Sequence, residues 1–153
     1  PLFILIIFFL FKKNGTKGLL VILLFISVLI LFTDQFTNVV KDFTQRLRPC
    51  RLDELQGLLR DIDIRCGKYG FFSAHAANSI SVTIFIINCV DESVKKFLKP
   101  VLILWVMIFS YSRIYLGVHY PLDTVFGLSF GIFSGFLFKC LYNYFISVKV
   151  FSD

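Results

Sequence analysis

Residues 18–39, GLLVILLFISVLILFTDQFTNV, decide the fold class. The run exceeds the ~20 mainly apolar residues that a helix needs to cross the hydrocarbon of a bilayer. A soluble core helix has no use for so long an apolar cylinder. Working outward, four more apolar segments can be drawn: 1–11, 74–90, 99–112 and 121–147. The chain has 153 residues, 57% of them hydrophobic, with twenty phenylalanines and one methionine. Its mean hydropathy is +0.79. That balance excludes an ordinary soluble domain and predicts an all-α, polytopic transmembrane bundle of about five helices. The chain begins at Pro1 inside an apolar run that no basic stretch precedes and no small-residue cleavage site follows. The run therefore reads as the end of a truncated helix rather than a signal peptide. Residues 1–153 are expected to form one membrane-embedded domain, truncated at the N-terminus, with 41–72 as an extramembrane or interfacial segment.

Alternation across five spans puts 12–17, 91–96 and the C-terminal tail on one side, and 41–72 with 113–120 on the other. Lys12, Lys13, Lys17, Lys95, Lys96, Lys99 and Lys149 belong to the first side. The second holds Lys41, Arg46, Arg48, Arg51, Arg60, Arg65, Lys68 and Arg113, accompanied by Asp42, Asp53, Glu54, Asp61 and Asp63. The positive-inside bias assigns the first side to the cytoplasm. The net charge of +6 then serves topology and lipid headgroups rather than nucleic acid, for which no motif is present. Within 50–68, Leu52, Leu55, Leu58, Leu59 and Ile62 recur at helical spacing. This suggests a short amphipathic helix at the interface, with a packed loop as the alternative. Cys50 and Cys66 flank that segment. An extracytoplasmic side permits a disulfide between them, two free thiols being the other possibility. Cys89 and Cys140 lie in apolar helices as small packing residues.

Chemistry-bearing side chains gather at the ends of these runs. Lys41 and Arg48, seven residues apart and before Pro49, could hold phosphate oxygens, although interfacial cations more often only anchor helices. Ser73 is a candidate N-cap, opening a helix whose free amides favour an anion, with small Ala74 and then His75 in its first turn. By itself that segment reads as ordinary capping. His119 and Asp123 are four residues apart, with Pro121 suited to a first helical turn between them. The carboxylate can then fix one tautomer of the imidazole. His75 and His119 are the two histidines of the chain, too few, without an acidic cluster, to favour a metal site.

In this order the spacings resemble the phosphatidic-acid-phosphatase type 2 superfamily, whose signature is Lys-x6-Arg-Pro, Pro-Ser-Gly-His and Ser-Arg-x5-His-x3-Asp. Lys41 to Pro49 matches the first element and Ser112-Arg113 through His119 to Asp123 the third. Phe72-Ser73-Ala74-His75 is the second, with Phe for Pro and Ala for Gly. The resemblance implies six helices in a complete member and a hydrolase that removes phosphate from a lipid without metal or other cofactor. It casts His119 as nucleophile, Asp123 as its orienting partner and His75 as the acid. Lys41, Arg48, Ser73, the Ala74 amide and Arg113 are cast as the phosphate cradle. It also implies a bacterial inner-membrane enzyme with its site facing the periplasm or exterior. Undecaprenyl pyrophosphate, phosphatidylglycerophosphate and phosphatidic acid are the candidate substrates, the lean being to the undecaprenyl pyrophosphate branch. A lipid A phosphatase and a phosphotransferase on the same scaffold are the alternatives. The soluble haloperoxidase branch is disfavoured by the spanning runs.

Overall fold

The computed structural model describes residues 2–55, 57 and 66–150, and among these every regular element is helical. Helix α1 runs over Leu2–Thr44, α2 over Ala74–Cys89, α3 over Glu92–Tyr115 and α4 over Pro121–Val150. Two short 3-10 turns, Pro49–Arg51 and Asp53–Leu55, lie between α1 and α2. The protein is an integral membrane helical bundle: α1, α3 and α4 are each long and apolar enough to cross a bilayer. Their outward faces carry the chain's exposed large apolar residues, among them Leu20, Leu24, Ile108 and Phe133.

The first two predicted segments form one element interrupted at Gly15, whose backbone leaves the helical region at φ 64°. Glycine adopts this conformation without Cβ strain, so the chain can reverse there. Lys13 Nζ donates to the Val90 carbonyl at 2.9 Å and Asn14 Nδ2 to that of Cys89 at 3.2 Å. These bonds join the Gly15 break to the C-terminal end of α2, so the 12–17 and 91–96 connections share one end of the bundle, as alternation predicted. Helix α3 begins earlier than the predicted 99–112 span. Its first two turns, with Glu92, Lys95, Lys96 and Lys99, are polar helix at the bundle end, which an apolar-run criterion cannot detect. Of the proposed 50–68 amphipathic helix, the described residues show only the 3-10 turns; the remainder lies outside the described residues.

Helix α2 is the central element. It packs on α1, α3 and, most extensively, α4. The α2–α4 contact is close because Gly127, Gly131 and Gly135 put a side-chain-free stripe along α4, at four-residue spacing. A Cβ on Gly127 would stand 2.5 Å from the Ser73 carbonyl oxygen, and one on Gly131 would stand 2.3 Å from that of Ala77. Small residues at such spacing are how membrane helices approach backbone to backbone. The consequence reaches the other end of the bundle, where α2 and α4 start side by side.

Candidate active site

Lys41 stands in the last turn of α1. Gln45, at φ 47°, takes the left-handed conformation that ends the helix, and the chain then becomes extended. Leu47 bridges Tyr69 in antiparallel fashion, with Gly70 N donating to Arg46 O at 2.9 Å and Arg48 N to Lys68 O at 3.3 Å. Arg48 is held further by its Nε, which donates to the Tyr69 carbonyl at 2.9 Å. Gly70 is required beside it: an added Cβ would meet Arg48 Cγ at 2.9 Å. Cys50 and Cys66 are bridged by a disulfide, and Cys50 N donates to Gly117 O at 3.1 Å. The interfacial segment is thereby tied to the α3–α4 turn.

Ser73 caps α2, its hydroxyl accepting from Ala76 N at 3.4 Å, and its own amide donates to Asp123 O at 2.9 Å. His75 follows in the first turn, exposed, beside the Phe109 ring at 5.9 Å. Burial draws its imidazole below the ordinary pKa, and Arg113, His119, Lys41 and Arg48 reinforce that shift. Arg113 is in the last turn of α3 with its guanidinium 4.6 Å over Phe109, and its Nε is buried without a hydrogen-bond partner. Its carbonyl accepts from Val118 N and His119 N, which folds the turn that presents His119.

His119 is 2% exposed and Asp123 0% exposed, so this pair is held away from bulk water. Nδ1 of His119 lies 3.5 Å from Asp123 Oδ2, an ion-pair contact at the long limit for hydrogen bonding. Nδ1 has no formed hydrogen bond. Burial draws the imidazole below its ordinary pKa. Asp123 opposes that shift, while Arg48 and Lys41 reinforce it. The ring is therefore neutral at neutral pH.

The structure brings all eight sequence-derived site residues to one end of the bundle. It adds one that the motif spacing left unmarked: Arg46 Nη1 donates to Asp123 Oδ1 at 2.9 Å. Its signal in the sequence was position alone, two residues before Arg48 in a stretch whose extended form puts both side chains on one side. The glycine stripe on α4 is legible in the sequence as Gly-x3-Gly-x3-Gly.

Below His75 a cleft of about 310 Å³ opens between α1, α2 and α3. Ile6, Ile30, Val82, Trp105 and Phe109 are among its lining residues, with His75, Asn78, Ser79 and Thr83 its polar members.

Residues 2–147 match the PAP2 superfamily. The chain belongs to that superfamily. It is 37% identical to a lipid A 4'-phosphatase of Bacteroides thetaiotaomicron over 98% of this chain and 64% of that protein. It is 33% identical to a lipid A 4'-phosphatase of Porphyromonas gingivalis over 90% of this chain and 58% of that one. The chain thus spans about three fifths of the length of these relatives. Among solved structures, the PAP2-type phosphatidylglycerolphosphate phosphatase of Bacillus subtilis superposes with a TM-score of 0.69 at 23% identity, covering 94% of this chain and 68% of that one. At that identity the likeness establishes the fold.

Proposed function

We propose that this PAP2 chain is the catalytic part of a lipid phosphatase that removes a phosphate from lipid A at the extracytoplasmic face of a bacterial inner membrane. The observation that carries the reading is the convergence of a buried His119–Asp123 pair, His75 and the cations Lys41, Arg48 and Arg113 at one end of a lipid-facing bundle. Phosphoryl transfer is mainly positioning and charge stabilisation, and three fixed cations supply both.

In this mechanism Lys41, Arg48, Arg113, Ser73 and the Ala74 amide hold the phosphoryl oxygens. The neutral His119 attacks phosphorus through Nε2. An N–P bond forms as the P–O bond to the sugar breaks, and Asp123 bears the charge that develops on the imidazole. The negative charge of the bound phosphate favours the protonated form of His75 against burial and the cations, and His75 delivers that proton to the leaving sugar oxygen. Water then attacks the phosphohistidine with His75 taking the proton, the N–P bond breaks and inorganic phosphate leaves. The apolar cleft beneath His75 is placed to take an acyl chain while the phosphate stays at the histidines.

Lipid A is favoured over undecaprenyl pyrophosphate because the Bacteroides thetaiotaomicron and Porphyromonas gingivalis relatives bear the lipid A 4'-phosphatase name. In this reading the charge at phosphorus falls to Lys41, Arg48 and Arg113. The test is purified full-length protein in detergent micelles with EDTA, offered lipid A, undecaprenyl pyrophosphate and phosphatidylglycerophosphate. The expected result is vanadate-sensitive release of inorganic phosphate, fastest from lipid A. Preference for undecaprenyl pyrophosphate would overturn the substrate assignment. Strict dependence on added magnesium or zinc would overturn the mechanism, and transfer of label to an added alcohol would make the enzyme a phosphotransferase.

A further inference from the structure

The buried Asp123 carboxylate needs donors, and its nearest imidazole does not provide one: His119 Nδ1 is 3.5 Å away and has no formed hydrogen bond. Two donors do reach it. Tyr120 N bonds Oδ2 at 2.9 Å and Arg46 Nη1 bonds Oδ1 at 2.9 Å. The Arg46 side chain is 38% exposed whereas that of Asp123 is fully buried, so the guanidinium closes the carboxylate off from solvent. Arg46 is itself fixed. Its carbonyl accepts from Gly70 N, and its guanidinium carbon stands 4.2 Å over the Tyr120 ring and 6.0 Å from that of Phe71. Tyr120 thus provides both a backbone donor to Asp123 and the platform for the arginine that grips the other oxygen.

We propose that Arg46 is a positioning residue that acts through Asp123, holding the carboxylate so that Oδ2 faces His119 Nδ1 and partly neutralising it so that His119 stays an unprotonated nucleophile. This rests on the phosphohistidine reading above. The assignment separates Arg46 from the phosphate cradle, because its Nη1 is committed to the carboxylate and its face to Tyr120. The other charges near the two histidines come from every surrounding element: Lys41 of α1, Arg48 of the extended segment, His75 of α2 and Arg113 of α3. Removing Arg46 takes away the guanidinium bonded to Asp123 Oδ1 and leaves Arg48 to offset that carboxylate. The loss of positive charge favours protonation of His119. Mere loss of Asp123 from its place would do the opposite.

The experiment compares Arg46→Gln and Arg46→Lys in full-length protein, alone and with Asp123→Asn, using lipid A in micelles across pH. Arg46→Gln is expected to lower kcat about 10²-fold, the scale of a modest misplacement of reacting groups, with KM and vanadate inhibition unchanged. The acid limb of kcat/KM should move to higher pH. Arg46→Lys should restore the limb, since it keeps the charge, and recover only part of kcat, since it cannot lie flat on the Tyr120 ring as the guanidinium does. In the Asp123→Asn background Arg46→Gln should add little, as expected for groups acting as a unit. Losses that appear in KM and vanadate affinity, or that simply multiply with Asp123→Asn, would overturn the proposal. If Arg46→Gln fails to fold, the lysine variant decides by the same criteria. NMR of labelled histidine reads the site without turnover, since the chain has two histidines. A His119 titration that rises in Arg46→Gln supports the proposal even in protein inactive on lipid A, where only the functional reading would fail. One that falls or stays fixed refutes it.

Discussion

At the residue scale, the account turns on a histidine kept neutral. His119 is depressed chiefly by burial, and attack on phosphorus needs its unprotonated form. The sign follows: lowering pH protonates an ordinary imidazole near 6.5, but His119 resists until lower pH, so the acid limb of kcat/KM should fall below that of an unperturbed histidine. A pH–rate profile checks this, and a limb above the ordinary value would contradict it. His75 should show its role through the leaving group. His75→Ala is expected to slow hydrolysis of a lipid alkyl phosphate ~10²–10⁴-fold, the range for a general acid. An activated aryl phosphate, whose leaving group needs no proton, should lose much less; equal losses would remove His75 from acid duty. These side chains were readable through the three motif elements taken in order, whereas Lys41 with Arg48 alone reads as helix anchoring and Ser73 to His75 alone as ordinary capping. Arg46 was not, because its task depends on which carboxylate folding brings opposite it, a contact 77 residues away.

At the element scale, α2 and α4 must begin side by side, since Ser73 N bonds Asp123 O at 2.9 Å. The glycines of α4 allow it. Gly131→Val would drive a branched side chain into the Ala77 carbonyl, 2.3 Å from where its Cβ must stand. Overpacking of this kind costs ~1–3 kcal/mol or more, read as a lower unfolding midpoint together with lost activity, while Ile132→Val on the exposed face should leave both unchanged. The Cys50–Cys66 bridge is the second restraint, closing a sequence separation of 16. A loop of that size is worth about 3 kcal/mol in the chain-entropy model. Cys50→Ser/Cys66→Ser should therefore loosen the segment that carries Arg46 and Arg48. Lower activity at unchanged α-helical content is the expected outcome, and full activity would remove the bridge from the site's support. Periodicity gave the spans well where lipid selects for apolar length. It gave the start of α3 poorly, because Glu92 to Lys99 is helix outside the hydrocarbon, where composition no longer marks structure. The polar 12–17 stretch predicts a connection between two helices, and the break of α1 at Gly15 agrees with it.

At the scale of the whole molecule, the two ends of the bundle have separate tasks. One end carries the Gly15 reversal and the polar start of α3, stitched by Lys13 and Asn14 to the end of α2. The other gathers three motif elements that are distant in sequence, through the Leu47–Tyr69 bridge, the disulfide and the Ser73–Asp123 bond. Side assignment by alternation depended only on counting spans, and so was available from sequence. The antiparallel pairing of Leu47 with Tyr69 was not, because it joins residues on either side of a segment whose spacing fits a helix and a packed loop equally. The central claim is that phosphate passes through His119. Its most direct measurement is rapid-quench trapping with lipid A labelled at phosphorus, in EDTA, followed by peptide mapping. The account predicts one acid-labile phosphoryl group on the peptide containing His119, absent from His119→Ala protein. Label on His75, or turnover with no covalent phosphoprotein and inversion at phosphorus, would contradict it.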